Sequence, residues 1–204
     1  LGASSQTTVS ANAALQLSGG ISVGALPLQL TGTGVSSGGA LRNVSGDNSW
    51  SGLVTLATST TRINSDSGVL TLGGSSSITS SNINLQVGGN GDVVVSGVMS
   101  LGTGTLYKDG SGRLTLGGVN VYSGTTSVSG GGVLRLTNGA GLGTSSLTTV
   151  SSGALELEGG VSVGNALSLS GSGVSSGGAL RSVSGNNSWT GTIVVNSITT
   201  GISS

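Results

Sequence analysis

The sequence predicts an all-β solenoid, in which short parallel strands wind in roughly nine or ten coils around a narrow core. Three observations predict it. Apolar and polar residues alternate over runs of three to five residues, the chain repeats itself, and the apolar side chains are small, with no Phe and only two Trp and two Tyr in 204 residues. A sandwich of this size fills its core with aromatic rings. A narrow parallel coil is filled instead by Leu, Val, Ile and Ala, each stacked on its equivalent about 4.8 Å away. At roughly 20–23 residues per coil, the rod is on the order of 45 Å long.

Taken in order, the alternating runs are Leu15-x-Leu17, Ile21-x-Val23, Leu26-x-Leu28-x-Leu30, Val69-Leu70-x-Leu72, Ile83-x-Leu85-x-Val87 and Val93-x-Val95. They continue with Leu114-x-Leu116, Leu134-x-Leu136, Leu155-x-Leu157, Leu167-x-Leu169 and Ile193-x-Val195. Period-2 spacing sends Leu, Val and Ile to one face of a strand and Ser, Thr or Gln to the other. Clusters of Gly, Ser, Asn and Asp separate the runs and mark turns. No stretch shows the apolar spacing of three and four that a helix needs.

Composition bounds the function. The chain has 41 Gly and only 6% charged residues, a balance typical of flexible linkers. The 34% of apolar residues fall at regular intervals, however, and a linker has no reason to place Leu at every second position. The chain is therefore read as ordered. Six cations against six anions give zero net charge. The cations are too dispersed to displace counterions from phosphates, so nucleic acid is not an expected partner. No apolar run approaches the roughly 20 residues a bilayer requires, so no membrane insertion of this segment is expected. Without Cys there are no disulfides and no thiolate metal sites.

The repeat is long. Gly34 to Trp50 recurs as Gly173 to Trp189 with differences only at Asn43/Ser182 and Asp47/Asn186. The offset there is 189 − 50 = 139 residues. It drifts to 140 at Gly20–Gly24 against Gly160–Gly164, and to 141 where Leu1-Gly2 and Thr7-Thr8-Val9 match Leu142-Gly143 and Thr148-Thr149-Val150. Residues 1–63 thus match 142–202, and residues 1–204 are read as a single continuous solenoid segment, a fragment of a longer repeat array. Expected partners are further repeats of the same chain stacked at both ends. Cut strand edges also predict end-to-end self-assembly into fibres.

Within this array, residues 104–136 carry a denser pattern. Lys108, Gly110, Gly112, Leu114-Thr115-Leu116, Asn120, Tyr122, Gly124, Thr126, Val128 and Leu134-x-Leu136 fall on the signature positions of the autotransporter-associated β-strand repeat, which this stretch closely resembles. The resemblance implies a right-handed parallel β-helix. It also implies a secreted or outer-surface protein of a Gram-negative bacterium, built as the passenger of an autotransporter.

Several motifs admit both a chemical and a plainer reading. Gly34-Val35-Ser36-Ser37-Gly38 and Gly173–Gly177 fit G-x-S-x-G, but a nucleophile elbow needs a His base and the chain has none. They read as turns. Gly88-Gly89-Asn90-Gly91-Asp92 is faintly similar to a calcium-binding nonapeptide, with its Asp one residue early and no repetition. Glu156 and Glu158 share a strand face and read as solvated. Glycoside cleavage requires paired carboxylates, and Asp47, Asp66, Asp92 and Asp109 read as scattered in turns. Trp50 and Trp189 hold the same place in two copies of Gly-x-Asn-Ser-Trp-x-Gly, and read as plugs rather than ligand contacts. Lys108 with Asp109, and Arg42 with Arg181, read as edge and surface charges. Asn43, Asn48 and Asn120 read as turn ladders.

No catalytic, cofactor-binding or metal-ligating residue is assigned, and the chain is not expected to be an enzyme. The expected role is a rigid stalk, scaffold or fibre. The alternatives are an adhesin with a surface or matrix ligand and, less favoured, a polysaccharide-active β-helix.

Overall fold

The computed structural model describes residues 5–58 and 60–204. Its strands stack in parallel into a β-solenoid of about nine turns, with two short 3₁₀ turns at Val35–Ser37 and Val174–Ser176 as the only helical pieces among the described residues. Each coil visits three sides in order. The first side carries Thr7–Val9, Leu28–Leu30, Val54–Leu56, Ser76–Thr79 and Val98–Ser100, hydrogen-bonded in that order. The second begins at Leu15–Ser18 and ends at Ile193–Val195, nine strands in all. The third, also nine-stranded, runs from Ser22–Val23 to Ile202–Ser203.

Register turns the alternation of the sequence into columns. On the third side Leu70, Val93, Leu114, Leu134, Leu155 and Leu180 follow one another directly. All but Leu180 are at most 1% exposed, and Leu180 is 6%. On the second side the inward column runs Leu41, Ile63, Val87, Lys108, Val128, Val150 and Leu169. Burying each such aliphatic group contributes about 1.5–3 kcal/mol, and every coil shares it with its neighbours above and below.

After Ser100 the first side loses its strand for two coils, and residues 117–124 and 137–147 cross it as turns. The ladder does not break there. Val121 N–H donates to Met99 O, Ser123 N–H to Gly102 O, and Thr144 N–H to Tyr122 O. Strand pairing resumes in the same place with Ser162–Val163 and Ser188–Trp189.

The long repeat does not fall in step with the coil. Leu28–Leu30 lies on the first side, but its counterpart Leu167–Ser170 lies on the second. Leu41–Ser45 is on the second side and Leu180–Ser184 on the third. Trp50 is on the third, and Trp189 on the strand pair that stands in place of the first. Each second copy is therefore set one side further round the axis, so repeated residues do not stack on their repeats.

Candidate functional site

The Gly-x-Asn-Ser-Trp-x-Gly segments form the same clamp twice. Gly46 and Gly185 turn the chain at φ 78° and 81°, a conformation open to Gly. Asn48 and Asn187 then fasten that turn to the coil below. The Asn48 Oδ1 accepts from Ile21 N at 2.6 Å, and the Asn187 Oδ1 accepts from Gly160 N and Val161 N, both at 2.9 Å. The indole Nε1 of Trp50 donates to Leu26 O at 2.8 Å and that of Trp189 to Asn165 O at 3.0 Å. Those two carbonyls approach so closely that a Cβ on Gly52 or Gly191 would lie 1.9 Å from Leu26 O or 2.2 Å from Asn165 O. Both Trp side chains are thus engaged from below by the rod itself; Trp50 is fully buried and Trp189 partly.

The Asn residues do not stack as ladders of like side chains. Asn43 and Asn48 bond to each other within one corner, and Asn43 also donates to Ser65 Oγ and Ser67 O of the next coil. Asn120 replaces strand pairing on the first side: its Oδ1 accepts from Met99 N at 2.8 Å, and its Nδ2 donates to Gly141 O at 2.6 Å. One side chain thus ties three coils together where the strand is missing. Beside it Tyr122 is buried, with its hydroxyl 2.8 Å from Thr126 Oγ1. Burial pushes its phenol above the ordinary range despite that bond.

Lys108 is not a surface charge. It is 2% exposed and occupies the inward column between Val87 and Val128. Its stem fills an aliphatic position, and its Nζ reaches the turn to donate to Asp109 O and to Gly110 O. Desolvation pushes its pKa down to about 8, against the opposing pull of Asp109 and Asp92.

Glu156 is buried rather than solvated, and Glu158 beside it is ion-paired though a third exposed. Glu156, at 2% exposure, receives Arg135 at 2.7 Å, Arg181 at 3.1 Å and Arg113 at 3.3 Å, while Glu158 takes Arg135 at 2.9 Å. Burial works against the Arg135 guanidinium, but these two carboxylates hold its pKa above the usual value. Asp109 binds both terminal guanidinium nitrogens of Arg62, at 2.8 and 2.9 Å, and Gln86 at 2.6 Å. Burial alone would raise Asp109; these donors outweigh it and hold the carboxyl below the normal range. Gly88 makes the room, since a Cβ there would lie 1.9 Å from Asp109 Oδ1. Arg42 pairs with Asp66 at 2.7 Å, and Arg181 of the second copy with Glu156 instead, so both half-exposed Arg are ion-paired.

Asp47 accepts from Val69 N at 2.9 Å. Asp92 lies in the strand Asp92–Val95 rather than in a turn, and accepts from Arg113 N at 2.8 Å. The Gly88–Asp92 segment therefore spends its carboxylate on a neighbouring coil. Among the described residues, no group of three or more Asp or Glu is placed to hold a metal ion. The G-x-S-x-G segments are the two 3₁₀ corners, with Ser36 and Ser175 at φ 49° and 51°. A Cβ on Gly34 would lie 2.1 Å from Gly39 O, so the glycine there serves a close chain crossing.

The Arg113–Arg135–Glu156–Arg181 cluster was missed by sequence reading. Its signal was present: Arg135, Glu156 and Arg181 recur at about one coil's spacing, which puts them in one outward column.

With the coil geometry in hand, the comparisons are specific to one segment. Residues 106–136 match the passenger-associated-transport-repeat family. The match begins at the second-side strand Leu106–Lys108 and ends at the third-side strand Val133–Leu136. It therefore takes in Lys108, Asn120 and Tyr122 together with residues 117–124, the first of the two turn segments that replace the first-side strand. Over that segment the match and the solenoid are both consistent with an autotransporter passenger repeat. No curated protein and no solved structure matches the chain. No helix among the described residues is long and apolar enough to cross a membrane.

Proposed function

We propose that this chain is a rigid spacer of a cell-surface passenger region, holding another part of its protein away from the cell. The observation that carries the reading is where the polar chemistry goes. Glu156, Asp109, Asp66 and Asp92 are each bound by Arg of neighbouring coils, and Asn48, Asn120 and Asn187 bond from coil to coil. Side chains that would serve a ligand or a reaction serve the stacking instead. Asp109, whose carboxyl Arg62 and Gln86 hold below the normal range, is a poor proton donor and acceptor, which supports a non-catalytic role. On the outward faces Ser and Thr are interspersed with Arg and carboxylates that pair with one another, which leaves little free charge to grip a partner.

The resemblance to passenger repeats supports placement outside the outer membrane. Antibodies raised to the chain should label intact cells of the source bacterium; labelling only after permeabilisation would overturn that placement. Small-angle scattering should give a rod about 40–45 Å long for about nine coils. One observation favours the adhesin reading: Val119 and Val121, 57% and 55% exposed, flank Asn120 on the first side. The spacer reading expects no saturable binding to glycans or matrix proteins. Binding that is lost on changing Val119 and Val121 to Ser would favour adhesion.

A further inference from the structure

The last coil exposes apolar side chains that its own sequence twin keeps covered. Trp50, Val54 and Ile63 are each 0% exposed. Their counterparts at the offset of 139 residues are Trp189, Ile193 and Ile202. Trp189 and Ile193 are only partly buried, Ile202 is 57% exposed, and Val195 beside them is 53% exposed against 3% for its counterpart Leu56. From below the two copies are held alike, each indole donating to a carbonyl of the preceding coil. The difference lies entirely above.

What covers such a coil is visible in the first copy. Leu72 pairs with Trp50, Ile78 with Val54, and Val87 with Ile63. These three belong to one turn of the solenoid, and their backbones continue all three sides.

We infer that the apolar surface formed by Trp189, Ile193, Val195 and Ile202 is the seat of a further coil with the pattern of residues 66–87. That coil sits one side further round the axis than in the first copy. It sets a Leu-x-Leu strand over Trp189, an aliphatic residue over Ile193 and a Val over Ile202. The first coil of a second copy of this chain is not the occupant. The twin of that coil, Ala154–Val163, rests within the structure on Val133–Leu136 and on the turn at Gly139, where no Trp clamp lies beneath. Its underside is shaped for a different neighbour. The inference rests on the internal comparison of the two copies and needs no spacer role.

The test extends the full chain after Ser204 with a second copy of residues 66–100, with residues 1–35 appended as the control. Trp50 and Trp189 are the only indoles, so Trp50→Phe leaves Trp189 as sole reporter. Extension with 66–100 should bring the iodide quenching of Trp189 down to the value that Trp50 gives in a Trp189→Phe chain. Amide exchange at Ile193–Val195 and Ile202–Ser203, read without any Trp substitution, should slow in parallel. Unchanged quenching and exchange, or equal protection from the control extension, would overturn the inference. Protection in the unextended chain that rises with protein concentration would overturn it in favour of a second copy.

Discussion

Lys108 shows how much one residue can ask of a narrow core. Every other member of its column from Leu41 to Leu169 is Leu, Ile or Val, and its ammonium is satisfied only by bending to the turn carbonyls. Burial has moved its pKa from 10.5 down to about 8. Between those values the unfolded chain holds a proton that the folded chain has released, so stability rises with pH across the window. Urea midpoints at pH 7.5 and 9.5 should show the native chain gaining on the order of 1–2 kcal/mol relative to Lys108→Met, which lacks the titrating group. Parallel responses of the two chains would refute the assignment. Thr148 is a second misfit: it is fully buried between Thr126 and Leu167, and its hydroxyl has no hydrogen-bond partner. Replacing it with Val keeps the shape and removes an unmet polar group, which should stabilise the chain by about 1 kcal/mol in the same measurement.

At the scale of single coils, ion pairs and turns decide what packing leaves open. Glu156→Gln leaves Arg113, Arg135 and Arg181 facing one another without their shared anion. Because those Arg side chains are 18–37% exposed, the loss is well below that of a fully buried pair, about 1–2 kcal/mol in low salt. Glu158→Gln, with a side chain 33% exposed, should cost less than about 0.5 kcal/mol. Equal losses would mean that burial of Glu156 has no energetic consequence. Coils of this kind were only partly legible in the sequence. The runs from Val69-Leu70-x-Leu72 to Leu167-x-Leu169 announced themselves by alternation, and each holds a strand. Asn48–Trp50, Thr60–Ser65 and Thr126–Val128 did not, because their inward positions include Asn, Thr and Ser that bond to turns rather than to water. Lys108 misled for a related reason: alternation marks it as inward, and only its charge argued otherwise.

Over the whole molecule, the long repeat and the coil are two periods that do not divide. The coil's own length varies: Leu106 pairs with Thr126, twenty residues on, whereas Leu167 pairs with Ile193, twenty-six on. The extra residues sit in corners such as Val174–Ser176, so turns absorb length while register keeps the columns aligned. This is why the sequence disclosed the repeat but not its rotation by one side. It also predicts which deletions the rod tolerates. Removing residues 126–147 excises one whole coil, because Thr126 is paired with Thr148. The join sets Thr148-Thr149-Val150 where Thr126-Ser127-Val128 stood, so Tyr122 again meets a Thr hydroxyl and Leu155 settles on Leu114. Such a chain should keep its β-sheet circular dichroism and a single unfolding transition, with a urea m-value lower by about a tenth, in proportion to the surface removed. Removing only residues 126–136 takes out the second- and third-side strands but leaves the turn at 137–147. Two successive turn segments would then claim the first side, and the columns above would lose their support. That shorter deletion should abolish the cooperative transition; if it proves the milder of the two, columns in register are not what holds this rod together.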